Sequence, residues 1–415
     1  MKWVERILEK MPGVSKPQRK FLVLLFATIL LLRGKVNFRN LSRYSERCEK
    51  TFSRQFRTSF DFVWFNQLLL REALPSSHEK VAAMDCSYLP KSGKKTYGLD
   101  RFFDSTHNKP AKGLEIATIS VVDVTEGTAY ALSTWQTAPL EELSPSSSAQ
   151  ASGKRIPREE AEETRMDFYV EHVRHVRPSL PQEIHHMVAD GGFARIKFVS
   201  GVVKEGLEVI GKLRGDANLR YLYTGPQKPR GARRKYDGKV RFQDLSRLEY
   251  IGQVEEKIHL YTAVVHSICL KRKVRIAYLL NLQEEKHPRY AVLFSTDLTL
   301  SAPKIYEYYK ARFQIEFLFR DAKQFTGLCD CQARCQESLH FHLNASLTAV
   351  NLAKIEAQAL LGKGASDPFS MASLKILYFN EHLLSRIISM LDLDPTSIKT
   401  HPQYEQLRTY GTIAA

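Results

Sequence analysis

The chain has 415 residues, 43% hydrophobic and 26% charged, with a formal charge of +16 at pH 7 and a pI near 9.4. Such a length and balance describe a globular protein of two or three structural units and exclude a disordered or collagen-like chain. The excess of base points to a polyanionic partner, nucleic acid first and an anionic membrane surface second.

The N-terminal stretch reads as all helical. Its apolar run FLVLLFATILLL, Phe21 to Leu32, falls short of the roughly 20 residues a membrane span needs. The RGKVNFRN that follows offers no small-residue cleavage site, so a buried helix is expected rather than a span or a signal peptide. Next come a short helix near Asn40 to Arg47, a polar turn and a helix from about Thr51 with Arg54, Gln55 and Arg57 outward. This is a candidate helix-turn-helix, whose second helix presents polar side chains to the DNA major groove. An ordinary basic helical hairpin has the same pattern.

From about Lys80 strands are expected. KVAAMDCSYL is an apolar run with Asp85 at the strand end, and EIATISVVDV and TAYALSTWQT are joined by a tight turn at Glu126-Gly127. PLEELSPSSSAQASGKRIP is a Pro/Ser-rich surface loop, and REEAEETRMDFYVEHVRHV a charged helix. EIHHMVADGGFARIKFV reads as a strand ending in Asp190, a glycine turn and a helix. Strands return from about Leu207 to Phe294 around the loop GPQKPRGARRKYDGKVR. Its Lys228, Arg230, Arg233, Arg234 and Lys235 form either a phosphate-binding surface or a solvated charge run. YYKARFQIEFLFRDAKQF, Tyr308 to Phe325, reads as one amphipathic helix beginning near Ala302, and two more helices close the chain.

Cys48, Cys86 and Cys269 stand alone, as in a reducing compartment, and six cysteines in this length make no disulfide framework. Cys329, Cys331 and Cys335, followed by His340 and His342, do not have a standard zinc spacing.

Three acids stand out by position. Asp85 and Asp190 each end a strand, Asp190 just before Gly191-Gly192, where the backbone can turn sharply. Glu316 lies on the helix, where Tyr309, Arg312, Glu316 and Lys323 fall within an arc of about 60° on an ideal helix. Two strand-end carboxylates and one from a helix across the sheet edge suit a pair of Mg2+ ions. Each acid also has a plain structural reading: a turn cap for Asp85, an Asx turn for Asp190, an i,i+4 pair with Arg312 for Glu316. Asp100, Asp104 and Asp123 are rivals. The residues alone leave these alternatives open.

Y-x2-R-x3-E-x6-K, spelled by Tyr309, Arg312, Glu316 and Lys323, resembles the YREK signature of insertion-sequence DDE transposases of the type 4 family, relatives of the Tn-type cut-and-paste enzymes. MDCSYLPKSGKKTYGLD and VADGGFA are similar to that family's first and second aspartate segments. The resemblance covers roughly residues 80 to 355. It implies Asp85, Asp190 and Glu316 as catalytic and metal-binding residues for two Mg2+ (or Mn2+) ions. It also implies phosphate contacts from Tyr309, Arg312 and Lys323. By position alone, Arg320 falls near the same arc and Lys91, Lys94 and Lys95, just past Asp85, are placed to track DNA into the site. Family members often resolve element ends through a DNA hairpin, with aromatic residues holding a flipped base. Here Trp3, Trp64 and Trp135 all lie outside the stretch between Asp190 and Glu316, leaving Phe313, or Tyr221 and Tyr223, to stack.

The expected fold is α/β: an RNase H-like catalytic core, a mixed sheet with flanking helices, interrupted by a β-rich insertion. The expected units are a helical DNA-binding domain (1–76), the first part of the core (77–205), the insertion (206–298), the last part of the core with the YREK helix (299–360) and a helical C-terminus (361–415). The expected activity is metal-dependent cleavage at element ends and strand transfer to target DNA. The expected setting is a synaptic homodimer in the cytoplasm, at the nucleoid, with no membrane. A catalytically silent DNA-binding derivative and another RNase H-like nuclease are the alternatives.

Overall fold

The computed structural model describes residues 1–139, 158–283, 289–361 and 369–413. The Pro/Ser-rich loop expected from Pro139 to Pro157 lies almost wholly outside them. Among the described residues, twelve strands join in one mixed sheet. In chain order they are β1 (Lys80–Pro90), β2 (Asp100–Asp104), β3 (Lys109–Asp123), β4 (Thr128–Gln136), β5 (His186–Ala189), β6 (Glu208–Leu213), β7 (Leu219–Leu222), β8 (Tyr236–Lys239), β9 (Glu249–Glu255), β10 (Ile258–Ser267), β11 (Arg272–Asn281) and β12 (Arg289–Ser295). The spatial order is β2-β3-β1-β5-β6-β12-β11-β10-β7-β8, with β4 also on β3 and β9 also on β10. The pairs β1–β5 and β5–β6 are parallel and the others antiparallel. The strands of 206–298 therefore continue the sheet through β6 on β5 and β12 on β6.

Alternation along β1 divides the core. Ala82 and Met84 face a layer that includes α6 (Arg158–Val176) and α7 (Ile196–Lys204) through Val173 and Val199. Val81, Ala83 and Leu89 face the other way. They meet α8 (Ala302–Ala311), α9 (Gln314–Phe325) and α10 (Gln336–Leu361) through Ile305, Leu318 and Leu343.

The polar face of α10 covers the edge strand β4. Asn344 accepts from the Thr134 N–H at 3.1 Å and donates to its carbonyl at 2.9 Å. Asn351 does the same at Ala131, at 2.9 and 2.7 Å, and Lys354 donates to the Ala129 carbonyl at 2.7 Å. These side chains satisfy edge groups that would otherwise be buried unpaired.

The N-terminal region is helical: α1 (Lys2–Glu9), α2 (Lys16–Leu31), α3 (Phe38–Arg43), α4 (Glu49–Gln55) and α5 (Phe62–Ala73). The apolar run lies in α2, capped by Ser15 and buried through Phe21, Leu22, Leu25, Phe26 and Ile29. Among the described residues no helix is long and apolar enough to cross a membrane. The tail comprises α11 (Met371–Met390), α12 (Pro395–Lys399) and α13 (Tyr404–Arg408). Lys375 of α11 donates to the carbonyls of Ile29 and Phe325, both at 2.7 Å, tying the tail to the ends of α2 and α9.

Candidate active site

The expectation that Asp85 ends its strand is corrected. β1 runs on to Pro90 along β3, and only its parallel pairing with β5 stops, at Met84 opposite Ala189. β5 itself ends there, and the next residue, Asp190, opens a turn through Gly191-Gly192. Asp85 and Asp190 are thus the residues just past the last pair of two adjacent parallel strands, roughly one strand spacing apart. The chain on the β5 side turns away, leaving that edge of Asp85 open. Gly192 supplies the room: its N–H donates to Asp190 Oδ1 at 2.8 Å, and a Cβ there would stand 3.1 Å from that oxygen.

The single helix expected from Tyr308 to Phe325 is two. α8 ends at Ala311, Arg312 and Phe313 form a break, and α9 starts at Gln314. The N–H groups of Phe313, Ile315 and Glu316 bond three residues back, to Lys310, Arg312 and Phe313. This tighter turn re-aims α9 yet keeps Tyr309, Arg312 and Glu316 together. Arg312 donates to Asp85 Oδ2 at 3.0 Å and to Glu316 Oε1 at 3.3 Å. Its guanidinium lies 5.5 Å from the centre of the Tyr309 ring. Asp85 Oδ1 accepts from the Cys86 N–H at 2.8 Å.

The acids share one electrostatic environment. Burial pushes the Asp85 carboxyl up to about 7; Arg312 draws it down, while the charges of Asp190 and Glu316 add to the rise. Burial likewise raises Tyr309 above the ordinary phenol value, against the pull of Arg312. Arg312 is held charged by Asp85, Tyr309, Glu316 and Asp190 against the burial that opposes it. The side chain of Asp85 is 16% exposed and that of Glu316 43% exposed, so the cluster opens to solvent on the Glu316 side.

The rival acids are engaged in local structure. Asp123 is buried, meeting His78 at 2.7 Å and capping the Glu126 N–H. Asp104 meets His107 at 2.6 Å, and Asp100 accepts from the Arg101 N–H at 2.7 Å.

Other expected site residues lie farther away. Lys323 is half-buried two turns along α9, near Cys329 and the Asp104 carboxylate, and burial lowers its pKa. Arg320 is exposed, paired with Asp321 at 3.0 Å and lying over Phe317. Lys91 donates to the Cys331 carbonyl, whereas Lys94 and Lys95 are exposed. Phe313 is 48% exposed in the helix break, beside the acids. Tyr221 is buried, and Tyr223 lies under Arg234 at 4.4 Å. Arg54 and Arg57 are exposed and Gln55 half-buried, at and just past the end of α4.

The basic loop between β7 and β8 exposes Lys228, Arg230, Arg233, Arg234 and Lys235, with Arg234 also paired to Asp237 at 2.6 Å. Six strand spacings separate β7 from β1, on the order of 29 Å across a flat sheet. Its charges therefore sit well away from the acids. Among the thiols, Cys331 hydrogen-bonds His342, which together with Lys91 lowers its pKa against the burial that would raise it.

A contact network missed by sequence reasoning pins the other end of α8. Tyr308 donates to Glu79 Oε1 at 2.5 Å and Lys304 to Glu79 Oε2 at 2.6 Å. Glu79 immediately precedes β1. No sequence signal marks it, since the partners are 225 and 229 residues apart.

A family model described as DDE superfamily endonuclease matches residues 11–258, more than half of the chain. The chain belongs to the DDE superfamily of endonucleases. The matched span contains Asp85 and Asp190 and stops before Glu316. No curated protein matches the chain. Membership implies DNA as substrate, and endonucleases of this superfamily typically use divalent metal.

The donor chemistry of this endonuclease fits such an ion. Asp85 and Asp190 offer hard oxygen ligands on adjacent parallel strands, just past their last pair, and burial with the charge of Asp190 raises Asp85. Among the described residues no three acidic, histidine or cysteine side chains stand close enough to enclose an ion. Between Asp85 and Glu316 the guanidinium of Arg312 intervenes.

Proposed function

We propose that this DDE endonuclease is a cut-and-paste DNA transposase of the type 4 insertion-sequence kind, with an RNase H-like core. The observation that carries the reading is the placement of Asp85 and Asp190 just past the last pair of two adjacent parallel strands, with Glu316 joined to Asp85 through Arg312. Tyr309, Arg312, Glu316 and Lys323 match the YREK pattern in spacing.

In this reading Asp85, Asp190 and Glu316 would hold two divalent ions, Mg2+ or Mn2+, whose Lewis acidity favours both the attacking and the leaving oxygen of a phosphodiester. Arg312 and Tyr309 grip a phosphate beside the acids by charge-assisted and hydroxyl hydrogen bonds. Water attacks the phosphodiester at an element end and a 3′-hydroxyl leaves. That hydroxyl then attacks target DNA in line, so each step exchanges one P–O bond for another and needs no covalent protein intermediate. Phe313, exposed in the helix break, is placed to stack on a base. Arg54, Gln55 and Arg57 contact DNA from the N-terminal helices. Lys91, Lys94, Lys95, Lys323 and Arg320 extend the track, and the β7–β8 loop holds duplex farther out.

A homodimer bridging two ends belongs to the same proposal. The exposed stripe of Leu383, Ile387 and Met390 on α11, continued by Leu391 just past it, supports it.

The test uses DNA from the flanks of the encoding gene, with a labelled target plasmid and Mg2+. The proposal expects nicks at fixed positions and labelled flank ends joined to the plasmid. Release of cut DNA with no joined product makes the chain a nuclease only. Binding with no cut in Mg2+ or Mn2+ makes it the silent derivative.

A further inference from the structure

Arg312 occupies the place where its two carboxylate partners would meet a cation. It donates to Asp85 Oδ2 and Glu316 Oε1, one acid from the sheet and one from the helix across it. Its side chain is only 11% exposed, and its buried Nε has no acceptor. A guanidinium carries five donors in a rigid fork that matches phosphate two bonds at a time. Here two carboxylates use part of that fork and, among the described residues, the buried Nε donor meets no acceptor, a costly state for a buried polar group. The residue stands in the break between α8 and α9, against the Tyr309 ring. From there its side chain can re-aim without unwinding either helix.

A dication and a guanidinium on the same pair of carboxylates compete, because like charges a few ångströms apart repel strongly away from bulk water. A cation that takes Asp85 Oδ2 and Glu316 Oε1 displaces Arg312 from them. The expelled group then needs an anion of its own beside the site, and a DNA phosphate is that anion.

We infer that Arg312 is the counter-ion of the unloaded site and that metal and DNA load it together, the phosphate drawing off the guanidinium as the metal takes the acids. The inference rests on the proposed metal-binding role of Asp85, Asp190 and Glu316 and adds an order of assembly to it. The full-length protein without DNA holds metal weakly, so the acids are armed only where DNA lies in the site. By linkage, DNA tightens metal binding and metal tightens DNA binding by the same factor.

The experiment measures free Mn2+ by its electron paramagnetic resonance signal during titration of the full-length protein. Titrations are run with and without a saturating short duplex, and the Mn2+ held by duplex alone is subtracted. The wild type is expected to bind Mn2+ about tenfold more tightly with DNA than without. Arg312→Gln, in DNA-free solution, is expected to match the DNA-bound wild type, with DNA adding less than about twofold. Arg312→Lys, which keeps the charge without the fork, should fall between them. Equal Mn2+ affinity of the wild type with and without DNA overturns the inference, whatever the variants do. So does an Arg312→Gln protein of unchanged melting temperature and unchanged affinity, provided that Asp85→Asn abolishes binding; the metal-site reading then survives. Mn2+ binding that persists in both Asp85→Asn and Asp190→Asn removes the metal-site reading, and the inference with it.

Discussion

The start and the middle of β1 are built on opposite electrostatic plans. At its start the acids and the lysine have close partners: Glu79 with Lys304 and the Tyr308 hydroxyl, Lys80 with Glu183, and Asp123 with His78. Five residues after Lys80, at Asp85, three carboxylates share one field with a guanidinium that bonds two of them, and burial with mutual repulsion raises the most enclosed of them. The start pins α8 to the sheet, while the middle holds negative charge in excess. A region that only stabilised the fold would not carry that excess, since an uncompensated buried charge subtracts stability. Excess charge of one sign in a partly open cleft is better explained by a cationic ligand.

The contrast is broken most sharply by neutralising the acids. Asp85→Asn or Asp190→Asn should lower DNA cleavage on the order of 10³-fold while leaving the melting temperature of the metal-free protein unchanged or higher. Glu79→Gln, just before β1, should change cleavage only a few-fold and lower the melting temperature. The reverse pattern in a side-by-side assay would place the chemistry at Glu79 instead.

A pH titration of stability comes next. The folded Asp85 carboxyl sits at about 7, above the ordinary 3.8 of the unfolded chain. The folded state therefore holds the proton more tightly. The resulting stabilisation is complete below pH 4 and is lost as pH rises through 7. In chelator-treated protein, urea unfolding should show this loss as up to about 4 kcal/mol, and Asp85→Asn should flatten that part of the curve. A wild-type profile that rises from pH 4 to 7 and keeps its shape in the variant would show that Asp85 ionises freely.

Removing a well-partnered polar group should cost stability alone. Asn351→Leu leaves the Ala131 N–H and carbonyl buried and unpaired on the β4 edge, at about 2–4 kcal/mol in urea unfolding. A loss below about 0.5 kcal/mol would mean that α10 does not serve as the cover of that edge. Tyr308→Phe, which deletes one hydrogen bond to Glu79, should cost about 1 kcal/mol and leave cleavage near the wild-type rate once protein is folded. A rate loss beyond tenfold would make the α8 anchor a positioning device for Arg312.

What the sequence disclosed is the local chemistry. The acid before Gly191-Gly192, the apolar runs of β1 and β5, and the four-residue spacing from Arg312 to Glu316 are short-range signals, and the structure joins Arg312 to both Asp85 and Glu316. The break at Arg312 and Phe313 was hidden because i,i+3 and i,i+4 neighbours stay close when one turn tightens. That break, and the seven residues from Glu316 to Lys323, separate Lys323 from the cluster, although an ideal helical wheel puts both on one face. Asp85 seemed to end its strand because a charged residue closes the apolar run from Val81 to Met84, whereas β3 pairs with β1 as far as Pro90. The Asn344–Asn351–Lys354 face of α10 and the Glu79 anchor depend on partners more than 200 residues away, which no window of sequence reveals. The spread of the basic loop from the acids is likewise a matter of strand order.

The most direct test of the central claim is a nicking assay on the flanking DNA in Mg2+, comparing wild type with Asp190→Asn. Binding of both proteins to that DNA is measured in parallel. The account predicts nicks at one fixed position from the wild type, and none from a variant that, with the metal chelated, binds the same DNA at least as well. Cleavage by Asp190→Asn at the wild-type rate would contradict it.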